Sequence, residues 1–268
     1  MVDNINYKII ETIQTTSKGS VYVAKNNSMI NKKHKTVIIK TFVKSRTNSF
    51  ILKENNNELI PKEMYFINLI NDESICPIIL DCFQSETDFS IVMENLDGKW
   101  IELYEYTGKK RMEKCLRRII FNTILALQNL VKKGIYYLDI KPSNIVFHKT
   151  TYCVKLLDFE DALHGLENEN PVCKKYVGTI GYCSPEVFLK TNYDVKKSIV
   201  FMIGTLIYSC IESIEPFEDK NDYKNIETLK FEKCSVQAKD LIKKCILRDP
   251  NERIEFDNII NHDWFNIF

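Results

Sequence analysis

Excess charge of one sign is what this chain most plainly lacks: 37 Lys and Arg residues stand against 36 Asp and Glu, for a formal net charge of +1. That near-balance argues against a whole-protein electrostatic grip on nucleic acid, and the basic residues are not gathered into one long tail. No C-x-x-C pair occurs among the nine cysteines, which are scattered from Cys76 to Cys245 and are odd in number. Neither a disulfide framework nor a zinc site is indicated, and reduced thiols in a cytosolic or nuclear compartment are expected. The N-terminus, Met1-Val-Asp-Asn-Ile-Asn-Tyr-Lys8, has no apolar signal core, so an intracellular, unsecreted protein is expected. The longest apolar run, Ile199 to Ile211, is interrupted by Gly204, Thr205 and Ser209 and is too short to span a bilayer. It reads as a buried helix, and no membrane partner is expected. What is present is ordinary for a globular chain. Its 268 residues, 44% hydrophobic and 27% charged, suit one large domain or two lobes with a proper core.

Against that background one stretch needs a reason. From Ile135 to Phe147 the sequence is Ile-Tyr-Tyr-Leu-Asp-Ile-Lys-Pro-Ser-Asn-Ile-Val-Phe, three chemically capable side chains inside an apolar run. Asp139 can accept a proton, Lys141 can neutralise a moving phosphate, and the amide oxygen of Asn144 suits a hard Mg²⁺ ion. These are the parts of a phosphoryl-transfer centre. The same residues also fit a strand-turn-strand in which Pro142 and Ser143 make the turn and Asp139 caps it. A short motif does not decide between the two without its context.

The context runs along the chain. Tyr7 to Lys25 alternates and reads as two strands joined by a turn at Gln14 to Gly19. Thr36 to Val43 is a β-branched strand with Lys40 in its middle. Lys44 to Leu59 is polar and Asn-rich, a mobile connection. Pro61 to Asn71 has helical spacing and carries Glu63. Ile78 to Leu80 and Phe89 to Met93 read as strands, ended by the turn residues of Glu94-Asn-Leu-Asp-Gly98. An amphipathic helix runs from Arg111 to Lys133, with Leu116, Ile119, Ile120, Ile124, Leu127 and Val131 on one face and Gly134 as its stop. Cys153 to Glu160 reads as a strand ending in the carboxylate Asp158.

The order D-x-K-x-x-N at Asp139, Lys141 and Asn144 resembles the catalytic loop of protein kinases, and the lysine two residues after the Asp resembles the Ser/Thr branch. Lys40 matches the lysine of the family's V-A-I-K strand and Glu63 its helix partner. Asp158-Phe159-Glu160 resembles D-F-G, and Gly178 to Glu186 resembles the segment closing on A-P-E. Leu247 to Ile254 and His262-Asp-Trp-Phe265 resemble the last helices of the family's larger lobe, with Arg253 paired to Glu186. The closing His-x-Trp-Phe and the short Leu103 to Tyr106 helix look similar to the calmodulin-dependent group. The resemblance covers Tyr7 to Phe265.

It implies an α+β, bilobal protein kinase fold: a small β-rich lobe over residues 1–94 with one main helix, and a larger, mostly helical lobe over 95–268, with no regulatory domain. It implies ATP and Mg²⁺ as cofactors. Asp139, Lys141, Lys40, Glu63 and Thr179 become the expected catalytic residues, and Asn144 and Asp158 the expected metal ligands. Gly19, Val21, Ile38, Lys40, Met93, Glu94, Leu96, Glu102 and Val146 become the expected nucleotide site, with Glu102 at the start of a helix and facing the ribose.

Departures from the family's pattern come in pairs. The His-Arg-Asp triplet is Tyr137-Leu138-Asp139, so the arginine that reads an activation-loop phosphate is gone, and between Asp158 and Thr179 there is no Ser or Thr. Both halves of that charge pair are lost together, and an enzyme active as made is expected, with Tyr176 the one hydroxyl in the segment. Ile199 stands where the family has a buried aspartate, opposite the altered Tyr137. Ile38 replaces an alanine above the adenine while Val146 replaces a leucine below it, a near volume-conserving exchange. In the glycine-rich loop only Gly19 survives, with Gln14 and Thr16 at the other two glycine positions. Glu160 replaces the D-F-G glycine.

Three functions remain open on these residues. The first is a monomeric Ser/Thr protein kinase acting on protein substrates, with Glu102, Glu105, Glu167 and Glu169 favouring basic ones. The second is a pseudokinase that binds ATP or a partner through the same fold, on the strength of the lost glycines and the changes at 137, 138, 160 and 199. The third, nucleic-acid binding through Lys109, Lys110, Arg111, Arg117 and Arg118, competes with a solvated helix face.

Overall fold

The computed structural model describes residues 6–27, 33–52, 58–107, 113–165, 171–189, 192–219 and 222–266. Lys109, Lys110, Arg111, Glu167 and Glu169 lie outside them. The chain divides into two compact units, Met1–Gly98 and Lys99–Phe268, the first ending on the last residue of the turn-rich Glu94–Gly98 stretch.

The first unit is built on an antiparallel sheet in the order β1-β2-β3-β7-β6. Its strands are β1 (Tyr7–Thr16), β2 (Gly19–Asn26), β3 (Thr36–Val43), β6 (Ile79–Gln84) and β7 (Asp88–Glu94). Because successive side chains alternate in direction, each strand sends every second residue to one face. Tyr7, Ala24, Val37, Ile39 and Val92 gather into a buried cluster. Their neighbours in sequence, Val23, Ile38, Lys40 and Met93, therefore share the opposite face. Two bulges break the β1–β2 register at Ile10 and Ile13, which are 60% and 55% exposed.

A second, short antiparallel pair joins β4 (Phe50–Leu52) to β5 (Leu59–Pro61). The region read from sequence as a mobile connection, Lys44 to Leu59, thus holds β4 and the first residue of β5, where Phe50 is buried; its residues 53–57 lie outside the described ones. Helix α1 (Lys62–Ile70) follows directly and buries Glu63, Phe66, Ile67 and Ile70. The two strands after it extend beyond the expected Ile78–Leu80 and Phe89–Met93, since pairing in register continues through polar residues such as Asp88.

The second unit opens with β8 (Trp100–Glu102) and the one-turn α2 (Leu103–Thr107). Helix α3 (Glu113–Lys132) buries the expected stripe of Leu116, Ile119, Ile120, Ile124 and Leu127. Then come β9 (Ile135–Tyr136), β10 (Ile145–His148), β11 (Val154–Leu156), β12 (Leu163–His164), β13 (Val172–Cys173) and β14 (Tyr193–Asp194). Helix α4 (Val195–Glu212) is apolar on all sides and buried nearly throughout, which makes it the axis of the unit. At Gly204 it meets α5 (Val236–Cys245) so closely that an added Cβ would lie 2.6 Å from the Cys245 Cβ.

Two carboxylates, Glu113 half-buried and Glu212 buried, tie this unit together. Glu113 accepts bonds from Arg117, the Ser235 hydroxyl and the Trp264 indole N–H at 2.7–2.8 Å. Glu212 accepts the backbone N–H groups of Glu232, Lys233 and Cys234 at 3.1–3.2 Å. Although burial raises both acids, the hydrogen bonds together outweigh it and hold each below the usual glutamate value. None of the nine cysteines forms a disulfide; burial pushes Cys245 up to about 12, so it stays a thiol. Among the described residues no helix is long and apolar enough to cross a membrane.

Candidate active site

In the first unit the site residues lie on adjacent strands. Val21 pairs across the sheet with Lys40, and Ile38 pairs with Val23 on one side and Met93 on the other. The Lys40 ammonium lies 2.5 Å from Oε2 of Glu63, whose side chain is almost wholly buried. A lysine in mid-strand needs such a partner once its stem is half buried, and helix α1 supplies it. Gly19 starts β2 where an added Cβ would sit 1.8 Å from the Thr41 carbonyl oxygen, so the position admits no side chain. The Glu94 N–H is committed to the Ile78 carbonyl at 3.1 Å, while Leu96 lies past the strand end and is half buried.

In the second unit four residues converge. Asp139 receives the Thr179 hydroxyl on Oδ1 at 2.5 Å and the Asn144 amide on Oδ2 at 2.7 Å. The Lys141 ammonium lies 2.8 Å from the same Oδ2 and also donates to the Thr179 hydroxyl oxygen at 2.8 Å. The Thr179 hydroxyl accepts from the lysine and donates to the aspartate, so one proton direction is fixed. A second bond from the Asn144 amide, to the Asp139 carbonyl at 3.0 Å, uses up its nitrogen and leaves the side-chain oxygen as the atom available to a cation. The strand-turn-strand read from sequence is present, with Pro142–Asn144 as its turn, but the Asp139 carboxylate takes the side chains of Thr179, Asn144 and Lys141 and does not merely cap that turn.

Strand pairing brings the other expected metal ligand alongside. β10 and β11 pair Ile145 with Leu156, and the Leu157 N–H continues the ladder to the Asn144 carbonyl at 2.9 Å. Asp158 comes next, in a left-handed backbone conformation with φ 58°. The following turn is closed by the Ala162 N–H on the Phe159 carbonyl at 3.1 Å, with Glu160 and Asp161 at its centre. Left-handed backbone is needed at Asp158 and not at 160, so a glutamate fits where the family's motif has glycine. Among the described residues no group of three His, Cys, Asp or Glu is arranged to hold a metal ion. Two protein oxygens completed by phosphates are a usual Mg²⁺ environment, and Asn144 with Asp158 fits that donor set.

Val146 is buried in β10 and pairs with Glu102. Glu102 ends β8 rather than starting a helix, because it is in register with β10; burial, and then the charge of Glu105, raises its carboxyl above the usual glutamate value. The altered Tyr137 is used in full. Its hydroxyl donates to the Leu157 carbonyl at 2.5 Å and its ring lies 5.0 Å from that of Phe159. Ile199, in place of an acid, is completely buried.

Sequence reasoning missed how the segment after Thr179 is held. The Thr205 hydroxyl donates to the Tyr182 carbonyl at 3.1 Å, the Tyr182 and Ser209 hydroxyls are 3.0 Å apart, and those of Ser184 and Ser198 are 2.7 Å apart. The signal was present in α4, where Thr205 and Ser209 interrupt an apolar run without an apparent partner. The Glu186–Arg253 pair is bidentate and buried, at 2.6 and 2.8 Å.

The family model for the protein kinase domain matches residues 7–265, and the chain belongs to that family, with the α+β kinase fold. It is 28% identical over 215 residues to serine/threonine-protein kinase prk-2 of Caenorhabditis elegans, covering 78% of this chain and 48% of that protein. It is 26% identical over 256 residues to CBL-interacting protein kinase 2 of Oryza sativa subsp. japonica, covering 92% and 55%. With calcium-dependent protein kinase 4 of Plasmodium berghei (strain Anka) it shares 26% over 282 residues, covering 100% and 51%. The chain spans about half the length of these curated relatives.

Proposed function

We propose that this chain is a Ser/Thr protein kinase that transfers the γ-phosphoryl group of ATP to protein hydroxyls without phosphorylation of its own activation segment. The observation that carries the reading is the convergence of Thr179, Lys141 and Asn144 on the carboxylate of Asp139. A decayed site has no need of four matched donors and acceptors. Asp139 orients the acceptor hydroxyl and takes its proton as the new O–P bond forms and the bond to ADP breaks. Lys141 offsets charge on the transferred group, and Lys40, held by Glu63, grips the α and β phosphates. Asn144 and Asp158 would hold Mg²⁺, which would compensate charge on the phosphates. The contribution of these residues is mostly positioning and electrostatics.

Independence from segment phosphorylation is supported by the loss of both halves of the charge pair, Leu138 in place of the arginine and no Ser or Thr between 158 and 179. Tyr176, the one hydroxyl there, lies with its ring 5.6 Å from that of Phe188. Glu102 and Glu105, both exposed and close enough to repel, support a preference for basic substrates. Arginine placed before the acceptor residue should improve peptide phosphorylation; equal rates with alanine there would remove that preference.

The test of the reading is transfer of labelled phosphate from Mg²⁺-ATP into a generic basic protein and into the chain itself, with Asp139→Asn in parallel. Transfer by the native chain that falls about 100-fold or more in the variant is expected. Silence from both while nucleotide still raises the melting temperature would make the chain a nucleotide-binding pseudokinase.

A further inference from the structure

Among the buried hydroxyls of the second unit that the reaction does not use, that of Tyr223 lies nearest in its bonding to the turn after Thr179, and packing alone does not explain it. Tyr223, 4% exposed, is separated from the catalytic loop by some eighty residues of sequence and lies in a 3-10 stretch, Asp222–Thr228. Its ring stacks on Phe217 with centroids 4.3 Å apart and meets Phe188 at 5.2 Å, and Phe188 in turn meets Tyr176 at 5.6 Å. Phenylalanine would serve for that stacking. The hydroxyl has a separate use: the Gly181 N–H donates to it at 3.2 Å. Since that N–H can only donate, the phenol oxygen acts as acceptor, and its own proton is left for a second contact, with the Cys183 sulfur 3.8 Å away.

Gly181 is two residues after Thr179, the residue that grips Asp139. Between them the backbone turns tightly, with the Tyr182 and Cys183 N–H groups both on the Thr179 carbonyl at 3.1 and 3.0 Å. The segment is pressed from two sides. A Cβ at Gly178 would lie 2.7 Å from the Leu138 carbonyl, and one at Gly181 would lie 2.8 Å from the Phe217 carbonyl. The contacts from α4 reach residue 182, which closes the turn, and residue 184, beyond it. Tyr223 reaches residue 181, within it.

We propose that Tyr223 is a positioning residue for phosphoryl transfer: by holding the Gly181 N–H it fixes the turn that presents the Thr179 hydroxyl to Asp139, the task left vacant by the lost phosphate-reading arginine. The proposal rests on the kinase reading above. It makes the uncharged aromatic cluster, in place of a phosphate and arginine pair, the device that keeps the segment in its working shape. A buried N–H stripped of its acceptor is costly, so the segment of a Tyr223→Phe variant opens locally to find water.

The experiment compares Tyr223→Phe with Tyr208→Phe, which loses a similar phenol bond, to the Lys230 carbonyl at 3.0 Å, away from the segment. Measured are kcat, the KM for ATP, the melting temperature and amide hydrogen exchange over residues 178–184. Tyr223→Phe is expected to lower kcat at least about fivefold with the KM for ATP unchanged, and to raise amide exchange at Gly181 by a similar factor. Tyr208→Phe is expected to keep kcat while losing a comparable amount of thermal stability. Equal kcat in Tyr223→Phe and the native chain, or equal losses in both variants, overturns the proposal and leaves the kinase reading intact. A native chain as silent as Asp139→Asn overturns the kinase reading, and this proposal with it.

Discussion

Two turns in this molecule stand where the family's motifs carry glycine, and they have been treated in opposite ways. In the first unit the hairpin of β1 and β2 has lost two of its glycines, at Gln14 and Thr16 in the last residues of β1, so the turn proper is only Ser17-Lys18 rather than Gln14 to Gly19. Thr16 there accepts the Lys18 N–H and donates to the Gly19 carbonyl, both at 3.2 Å, so a hydroxyl closes the turn that backbone freedom would otherwise have to make. Gln14 and Thr16 are exposed and meet no neighbour that forbids a side chain. In the second unit the turn at 178–181 keeps both glycines, at φ 95° and with carbonyl oxygens less than 3 Å from any added Cβ. Glycine persists where another backbone presses in and is dispensable where the turn faces water. Gly19 follows the same rule inside the first turn.

The largest effect that sharpens this contrast is expected from Gly178→Ala. Its Cβ has to displace the Leu138 carbonyl next to Asp139, and a shift of about 1 Å in a catalytic group costs about 100-fold in rate. Near-native turnover in this variant would break the comparison at its stronger end. Next comes Arg253→Met, which leaves Glu186 buried without its bidentate partner. A loss of about 3–5 kcal/mol in urea unfolding is expected, and a loss below 1 kcal/mol would mean that the segment does not depend on that anchor.

A smaller effect follows from pH. Glu113 and Glu212 have folded pKa values below their unfolded ones, so their contribution is fully present above the unfolded value near 4.5 and is lost as pH falls through the folded value. Glu212→Gln should therefore flatten the acid side of the stability curve, measured by urea midpoints between pH 6 and 3. A slope as steep as that of the native chain would show that the three N–H bonds contribute nothing to it. The smallest effect is expected at the open turn. Restoring glycine at Gln14 and Thr16 should cost about 0.5–1 kcal/mol each and change turnover far less than Gly178→Ala does. A tenfold gain in turnover would show that the lost glycines limit the enzyme after all.

Much of this was legible in the sequence because the chemistry is local. Asp139, Lys141 and Asn144 fall within six residues, and their spacing alone suggests a carboxylate served by a cation and an amide. The strand around Lys40 and the buried stripe of α3 follow from alternation and helical period. What was not legible is long-range. Tyr223 sits in a polar stretch with no periodicity to mark it, and its meaning comes only from a contact 42 residues away in sequence. The β4–β5 pair was hidden by the asparagines around it, since two buried apolar residues are too few to register as a pattern. Glu102 was placed at the start of a helix, one residue before α2 begins, because nothing in its own neighbourhood announces pairing with β10. Glu160 looked like a defect until the backbone showed left-handed geometry at Asp158 instead.

The central claim is that the catalytic loop and the segment after it are held in working order by contacts that need no phosphate on the segment. Its most direct test is to treat the purified chain with phosphatase, verify by mass that residues 158–179 carry no phosphate, and measure transfer from Mg²⁺-ATP beside Asp139→Asn. Turnover equal to that of the untreated chain, and absent from the variant, is the predicted result. Turnover that disappears with the phosphate, and returns when Tyr176 is phosphorylated again, would contradict it.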